Sequence, residues 1–231
     1  PYALPGEVGI AHAEPVIFDV YARTAVQVEA DPIDLTYYFG PRFTWFEDSA
    51  RLSYRYLDRG YTTTELREVD AATGAVRALV HESAEPHYDT WILRSRILGE
   101  GAEVLWMSER DGWAHLYLYD GATGALKHQI TSGEWVVREI VRVDEEARIV
   151  YFTGGGREAG RDPYFRHLYR VPLDGGDVTL LTPENAEHQA QFSPSGKYFV
   201  DNYSRVDMAP VTVLRDSHDG SVVMELETAD I

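Results

Sequence analysis

The chain contains no cysteine. That excludes disulfide staples, thiolate metal sites and cysteine nucleophiles. It leaves the compartment open, because exported bacterial domains also do without cysteine; cytoplasmic and periplasmic locations in a bacterium are both compatible. Long apolar runs are lacking too. The uncharged apolar stretches extend a few residues, where about 20 are needed for a membrane-spanning helix. No signal-peptide pattern is visible. Basic residues are scarce: 21 Lys and Arg stand against 38 Asp and Glu, a formal net charge of −17. A field of that sign repels phosphate backbones and anionic lipid, which speaks against nucleic acid as a partner. It serves solubility, or it draws in a cation such as a peptide's amino terminus. No stretch of about 12 residues or more has the period of an amphipathic helix. There is no initiator Met, and the ends at Pro1 and Ile231 read as cut from something longer.

What is present leans towards strands. The 231 residues suffice to bury a core, and 44% of them are hydrophobic. Tyr is abundant, with 15 residues against 8 Phe and 5 Trp. Tyr suits half-buried strand positions, its ring packed and its hydroxyl wet. One unit then recurs: a strand of alternating large residues, an Asp, a Gly-containing turn and a second strand. Its copies are Leu66–Asp70 with Thr73-Gly74, Leu116–Asp120 with Thr123-Gly124, Leu168–Val171 with Asp174-Gly175-Gly176, and Val211–Asp216 with Asp219-Gly220. Val16–Tyr21 followed by Val26–Val28 is a weaker, earlier copy. Asp and Gly tolerate positive φ, so each copy reads as a hairpin.

Between these outer hairpins lie inner ones. Phe43–Phe46 turns into Arg51–Tyr56, Ile97-Leu98 into Glu103–Trp106, Val141–Val143 into Arg148–Phe152, and Gln191-Phe192 into Tyr198–Val200. Four short strands in a period of about 45–50 residues are the pattern of a β-propeller. The expectation is an all-β chain forming one propeller domain over 1–231, with about four to five four-stranded blades of a larger ring. Two stacked β-sandwiches are the alternative, and they would not predict so regular an Asp-turn-Gly beat.

Several segments together carry a family resemblance: Ser108-Glu109-Arg110-Asp111-Gly112-Trp113, the His115–Asp120 strand, Thr131–Val137, Val150–Thr153, His167–Val171 and the Phe192–Lys197 turn. They resemble the propeller of the dipeptidyl peptidase IV branch of the prolyl oligopeptidase family of serine peptidases. Of the Glu109, Arg110, Asp111, Trp113 and His115 element, most reads as architecture. Asp111-Gly112 makes a tight turn, Trp113 and Trp106 pack between blades, and Glu109 with Arg110 is a candidate ion pair.

The resemblance implies a propeller that covers a C-terminal α/β-hydrolase domain with a Ser-Asp-His triad. It implies peptide substrates, release of X-Pro or X-Ala dipeptides from amino termini, and a second copy of the chain among the allowed partners. The hydrolase domain itself is expected to lie outside 1–231. No Gly-x-Ser-x-Gly elbow occurs, and Ser193-Pro194-Ser195-Gly196 lacks the leading Gly, so no catalytic residue is assigned. The family binds the substrate ammonium with adjacent glutamates on a short helix. The adjacent pair here, Glu145-Glu146, sits at a hairpin turn and reads as solvated. Trp91 and Arg94 are the candidate substrate contacts, an apolar wall and a donor for a peptide carbonyl; a core Trp and a surface Arg are the competing reading.

Other constellations are weak. His81, Glu82 and His87 lack the spacing of a zinc motif. Gly154-Gly155-Gly156 with Gly160 opens no helix and reads as a flexible loop, and 157–166 as an insertion, either a partner-contacting arm or a mobile tip. Neither a metal nor a cofactor is called for. The alternative function is a non-catalytic propeller scaffold that binds proteins or peptides.

Overall fold

The computed structural model describes residues 6–7, 9–34, 41–89 and 94–230. The first strands are β1 (His12–Ala13), β2 (Val16–Asp19), β3 (Thr24–Gln27) and β4 (Ile33–Asp34). They form two small sheets, β1 with β4 and the hairpin β2–β3. Four-stranded sheets follow. The first is β5 (Phe43–Trp45), β6 (Arg51–Leu57), β7 (Thr63–Asp70) and β8 (Val76–Ser83). The second is β9 (Ser95–Leu98), β10 (Glu103–Ser108), β11 (His115–Asp120) and β12 (Leu126–Gln129). The third is β13 (Val136–Asp144), β14 (Ile149–Gly155), β15 (His167–Pro172) and β16 (Thr179–Leu180). The fourth is β17 (Glu187–Phe192), β18 (Tyr198–Arg205), β19 (Met208–Asp216) and β20 (Val222–Thr228). Within each of the four, every strand lies beside its neighbour in sequence. This up-and-down sheet is the blade of a β-propeller. The expected four blades and part of a fifth are there, with the inner and outer hairpins where the repeat put them.

Local sequence explains the strands. Along β7, Thr64, Leu66 and Glu68 point inward and alternate with half-buried residues, the period-2 pattern of a strand with one covered face. In β10, Val104, Leu105, Trp106, Met107 and Ser108 are all buried, so this strand is covered on both faces and reads as a continuous apolar run. No helix among the described residues is long and apolar enough to cross a membrane.

The turns repeat one chemistry. Asp70 Oδ1 accepts from the Ala72 and Thr73 amides and from the Thr73 hydroxyl, at 3.0, 2.8 and 2.9 Å. Asp120 does the same with Ala122 and Thr123 at 3.1, 2.8 and 2.7 Å. These bonds favour the carboxylate, and those from Thr73 hold Asp70 below the usual carboxylate range. The glycine that closes the turn also allows close packing. Gly74 has φ +80, and a Cβ there would lie 2.0 Å from the carbonyl oxygen of Gln27, the last residue of β3. The Gly74 carbonyl takes the Glu29 amide at 2.8 Å, so the turn is stitched to the preceding repeat.

The chain falls into two compact units, one of residues 1–91, 97–104 and 119–126 and one of 92–96, 105–118 and 127–231. In the first, Val28, Ile33, Leu52, Tyr54 and Val69 form a buried cluster. Arg77 there pairs with Glu68 at 2.7 Å and donates to the Gly121 and Ala122 carbonyls. In the second, Tyr151, Leu168, Leu181 and Phe199 pack together, drawing residues from β14 through β18.

One expectation fails here. Gly154 and Gly155 are not loop residues; they are buried in β14 and pair with Val137 and Val136. Bare backbone is needed because a Cβ on Gly155 would stand 2.6 Å from the Pro163 carbonyl oxygen, and one on Gly154 would press on Trp135 and Tyr169. The glycine run is read by composition as flexible, but tertiary packing makes it strand.

Candidate functional site

The Ser108–His115 element joins β10 to β11. Gly112, at φ +93, donates its amide to the Glu109 carbonyl at 2.9 Å and closes a four-residue turn. Asp111 Oδ1 caps the Trp113 amide at 3.3 Å, and its Oδ2 takes the Gln129 side-chain amide at 2.6 Å. Arg110 folds back, with Nε 3.0 Å from Ser108 Oγ and its guanidinium 4.4 Å from the centre of the Tyr117 ring. Glu109 is exposed beside it. Trp106 is fully buried as expected, but Trp113 is 41% exposed and does not join it in the core. The inward position at the start of β11 belongs to His115 instead.

His115 is a buckle within the fold. It is fully buried, with Nε2 2.9 Å from the Gly133 carbonyl and Nδ1 3.1 Å from Thr131 Oγ1. A carbonyl only accepts, so Nε2 donates. Thr131 Oγ1 also accepts the Leu116 amide at 3.0 Å, and Trp135 stands edge-on at 4.9 Å. The next blade repeats the device: His167 Nδ1 donates to the Thr182 carbonyl at 2.9 Å, and Thr182 Oγ1 accepts the Leu168 amide at 2.8 Å. Burial pushes His167 below the usual histidine range, against the pull of the Thr182 carbonyl. His115, engaged on both nitrogens, has no lone pair to offer a reactant, whereas Nε2 of His167 is buried without a hydrogen-bond partner.

Arg94 is exposed and sits just before β9, where its carbonyl takes the Met107 amide at 3.0 Å. Trp91 lies outside the described residues. Glu145 and Glu146 are exposed on the β13–β14 turn. The segment 157–166 joins β14 to β15 and is tied down at several points. The Arg157 guanidinium lies 5.5 Å from the Tyr169 ring centre, pairs with Glu158 at 2.9 Å and reaches the Val178 carbonyl. Arg161 donates to the Glu184 carbonyl at 3.4 Å. Tyr164 projects to solvent at its tip.

Sequence reading missed one charged cluster altogether. Arg215, in β19, donates to Asp201 at 2.9 Å, to Glu184 at 2.6 Å and to the Gly220 carbonyl at 3.0 Å. His188 joins Asp201 at 3.0 Å and the Glu184 carbonyl at 3.0 Å. Glu184, His188 and Asp201 bring ligand-type atoms within 4.8 Å of one another. The guanidinium already spans both carboxylates and both imidazole nitrogens are engaged, so the cluster is an ion-pair network rather than a cation's ligand set. Its signal lay in strand register. Phe199 pairs with Arg215 and Asp201 with Val213, which puts opposite charges on one inward face of β18 and β19.

No set of described residues therefore assembles a nucleophile with its base. The candidate residues lie in turns and buried polar contacts, with Arg94 exposed just before β9. A family model described as the dipeptidyl peptidase IV N-terminal region matches residues 1–210. The chain is similar to dipeptidyl peptidase 4 of Arthroderma otae, 36% identical over 99 residues, which is 42% of this chain and 12% of that protein. It is similar to dipeptidyl peptidase 4 of Trichophyton equinum, 35% identical over the same length and shares. In structure it resembles dipeptidyl peptidase 4 of Porphyromonas gingivalis, with a TM-score of 0.76 at 24% identity over 92% of this chain and 29% of that one. The chain thus spans less than a third of the length of these proteins.

Proposed function

The chain belongs to the family of the dipeptidyl peptidase IV N-terminal region, and from that premise we propose that it is the propeller that gates access to the hydrolase domain of a serine dipeptidyl peptidase. The observation that carries this reading is the family match over residues 1–210. The parent releases X-Pro or X-Ala dipeptides from peptide amino termini. The propeller's part is to admit short unstructured peptides and to lend polar contacts at its rim; the nucleophile, its base and the oxyanion donors come from the hydrolase domain. Arg94 is the rim donor for a substrate carbonyl, and Trp91 is the proposed apolar wall beside it. Strand β10 supports this position, because the Arg94 carbonyl is bonded to the Met107 amide.

The reading is tested in the full-length protein. It is expected to cleave Gly-Pro and Ala-Pro chromogenic substrates and to be blocked by serine-reactive inhibitors, while the 231-residue chain does neither. Replacing Arg94 with Ala should raise KM for tripeptides about ten-fold with kcat nearly kept, as loss of one charge-assisted hydrogen bond requires. A full-length protein inert towards these substrates, or turnover by the propeller alone, would overturn it.

A further inference from the structure

The chain carries 38 acidic side chains for 21 basic ones, so an arginine whose N–H groups are out of water is expected to have a carboxylate on it. Arg148 has Asp174 at 2.6 Å, and Arg215 has Asp201 and Glu184. Arg142 in β13 and Arg170 in β15 break this rule. Both are half-buried. Nε of each is buried without a hydrogen-bond partner, and among the described residues neither guanidinium makes a hydrogen bond or an ion pair.

The two arginines stand in one row. Tyr151 in β14 is paired with Arg142 on one side and with Arg170 on the other. Directly opposed residues of antiparallel strands point to the same face, and two strand spacings put the arginine backbones about 10 Å apart across the tyrosine. Tyr151 packs on Leu181 and Phe199, with its ring 4.8 Å from that of Phe192, so the row faces the fourth sheet. The β17–β18 turn of that sheet makes room for the first arginine. Gly196 has φ +73, and a Cβ there would stand 2.6 Å from Nη2 and 2.7 Å from Cζ and Nε of Arg142. Glycine is what lets the guanidinium lie against the turn.

Water serves an arginine such as Arg138, which is exposed in the same strand β13. It does not reach a buried Nε, where a missing acceptor is costly. Two cations flanking a phenol hydroxyl suit a doubly charged ligand with several acceptor oxygens. A phosphate group has both properties, whereas a carboxylate brings one charge and two oxygens. We propose that Arg142, Tyr151 and Arg170 form a binding site for a phosphate dianion, free or carried as the phosphoryl group of a larger molecule. The site lies within the third sheet and its contact with the β17–β18 turn, and it is independent of the peptidase reading.

Titration of the full-length protein with inorganic phosphate, followed by phosphorus NMR line width at neutral pH, tests this. Wild type should show saturable binding. Arg142→Gln and Arg170→Gln should each weaken it at least about ten-fold, and Tyr151→Phe about three-fold. Arg138→Gln should leave it unchanged. Sulfate should compete and acetate should not. Phosphoserine separates the two sources: competition by it assigns the site to a phosphoryl group on a larger molecule, and its exclusion assigns the site to free phosphate. Thermal unfolding in phosphate-free buffer is the second measurement. Neither arginine has a partner to strand, so both Gln variants should unfold no lower than wild type, and they should gain less than wild type from added phosphate. The proposal is overturned if wild type shows no saturable binding, if Arg142→Gln with Arg170→Gln binds as wild type does, if Arg138→Gln weakens binding as much, or if acetate competes as well as sulfate. It is also overturned if the Gln variants unfold markedly lower without phosphate, which would show the arginines paired within the fold.

Discussion

At Gly220 two demands fall on one residue: a backbone at φ +76 and an approach that would put a Cβ 2.2 Å from the Leu181 carbonyl oxygen. Gly112 meets only the first, since at φ +93 it has nothing within 4 Å of the Cβ position. The two glycines therefore separate conformational strain from close packing. Gly112→Ala should cost about 1 kcal/mol, the usual penalty for a side chain at positive φ. Gly220→Ala carries that and must also push the β19–β20 turn away from the segment after β16, for a total of about 3 kcal/mol. Urea unfolding of both variants, read as the shift in midpoint at constant slope, checks the ordering. Equal losses would show that the contact with Leu181 is relaxed in solution.

Among elements, the fourth sheet is tied to what precedes it by a buried ion network. Arg215 is almost fully buried and Asp201 wholly so, and each satisfies the other. Arg215→Met removes one partner and strands the Asp201 carboxylate beside His188. The expected cost is about 3–5 kcal/mol, against less for the pair Arg215→Met with Asp201→Leu, which removes the buried charge pair and leaves without its cation only Glu184, whose side chain is 32% exposed. Thermal or urea unfolding of the single and double variants decides it; a double variant as unstable as the single one would mean that shape, not charge, is what the site requires. This network also marks where sequence reading stopped. The outer hairpins were legible because an Asp and a Gly a few residues apart carry their turn chemistry locally. The Asp201–Arg215 pair was not, because it exists only once β18 and β19 are in register and Glu184 arrives from the loop before β17. Trp113 and Gly154–Gly155 misled for related reasons. An aromatic beside a strand reads as core and a glycine run as loop, until His115 takes the inward place and Pro163 takes the space over Gly155. Of the candidate site, the tight turn at Asp111-Gly112 could be read from residues, whereas the His115–Thr131 buckle needed β11 and the segment after β12 side by side.

For the whole molecule, a net charge of −17 coexists with an outer strand of exposed Val, Met and Leu. Like-charge repulsion between copies is long-ranged at low salt and opposes contact at such an edge, whereas the apolar attraction acts only on contact. The balance should therefore tip with pH. Carboxylates gain protons as pH falls, and the net charge vanishes near the sequence isoelectric point of 4.8. Repulsion is then gone while β20 is unchanged, so light scattering should rise to a maximum near that pH and fall again below it, where the chain becomes cationic. Added salt should raise scattering at neutral pH by screening, and do little near pH 4.8, where little charge remains to screen. Met224→Glu should lower the maximum, because the extra carboxylate sits on the surface that drives contact. Far-UV circular dichroism across the same range separates association of folded chains from acid unfolding. Scattering that follows loss of the β signal, rather than the approach to zero net charge, would show that unfolded chains and not the open face of β20 are the associating species.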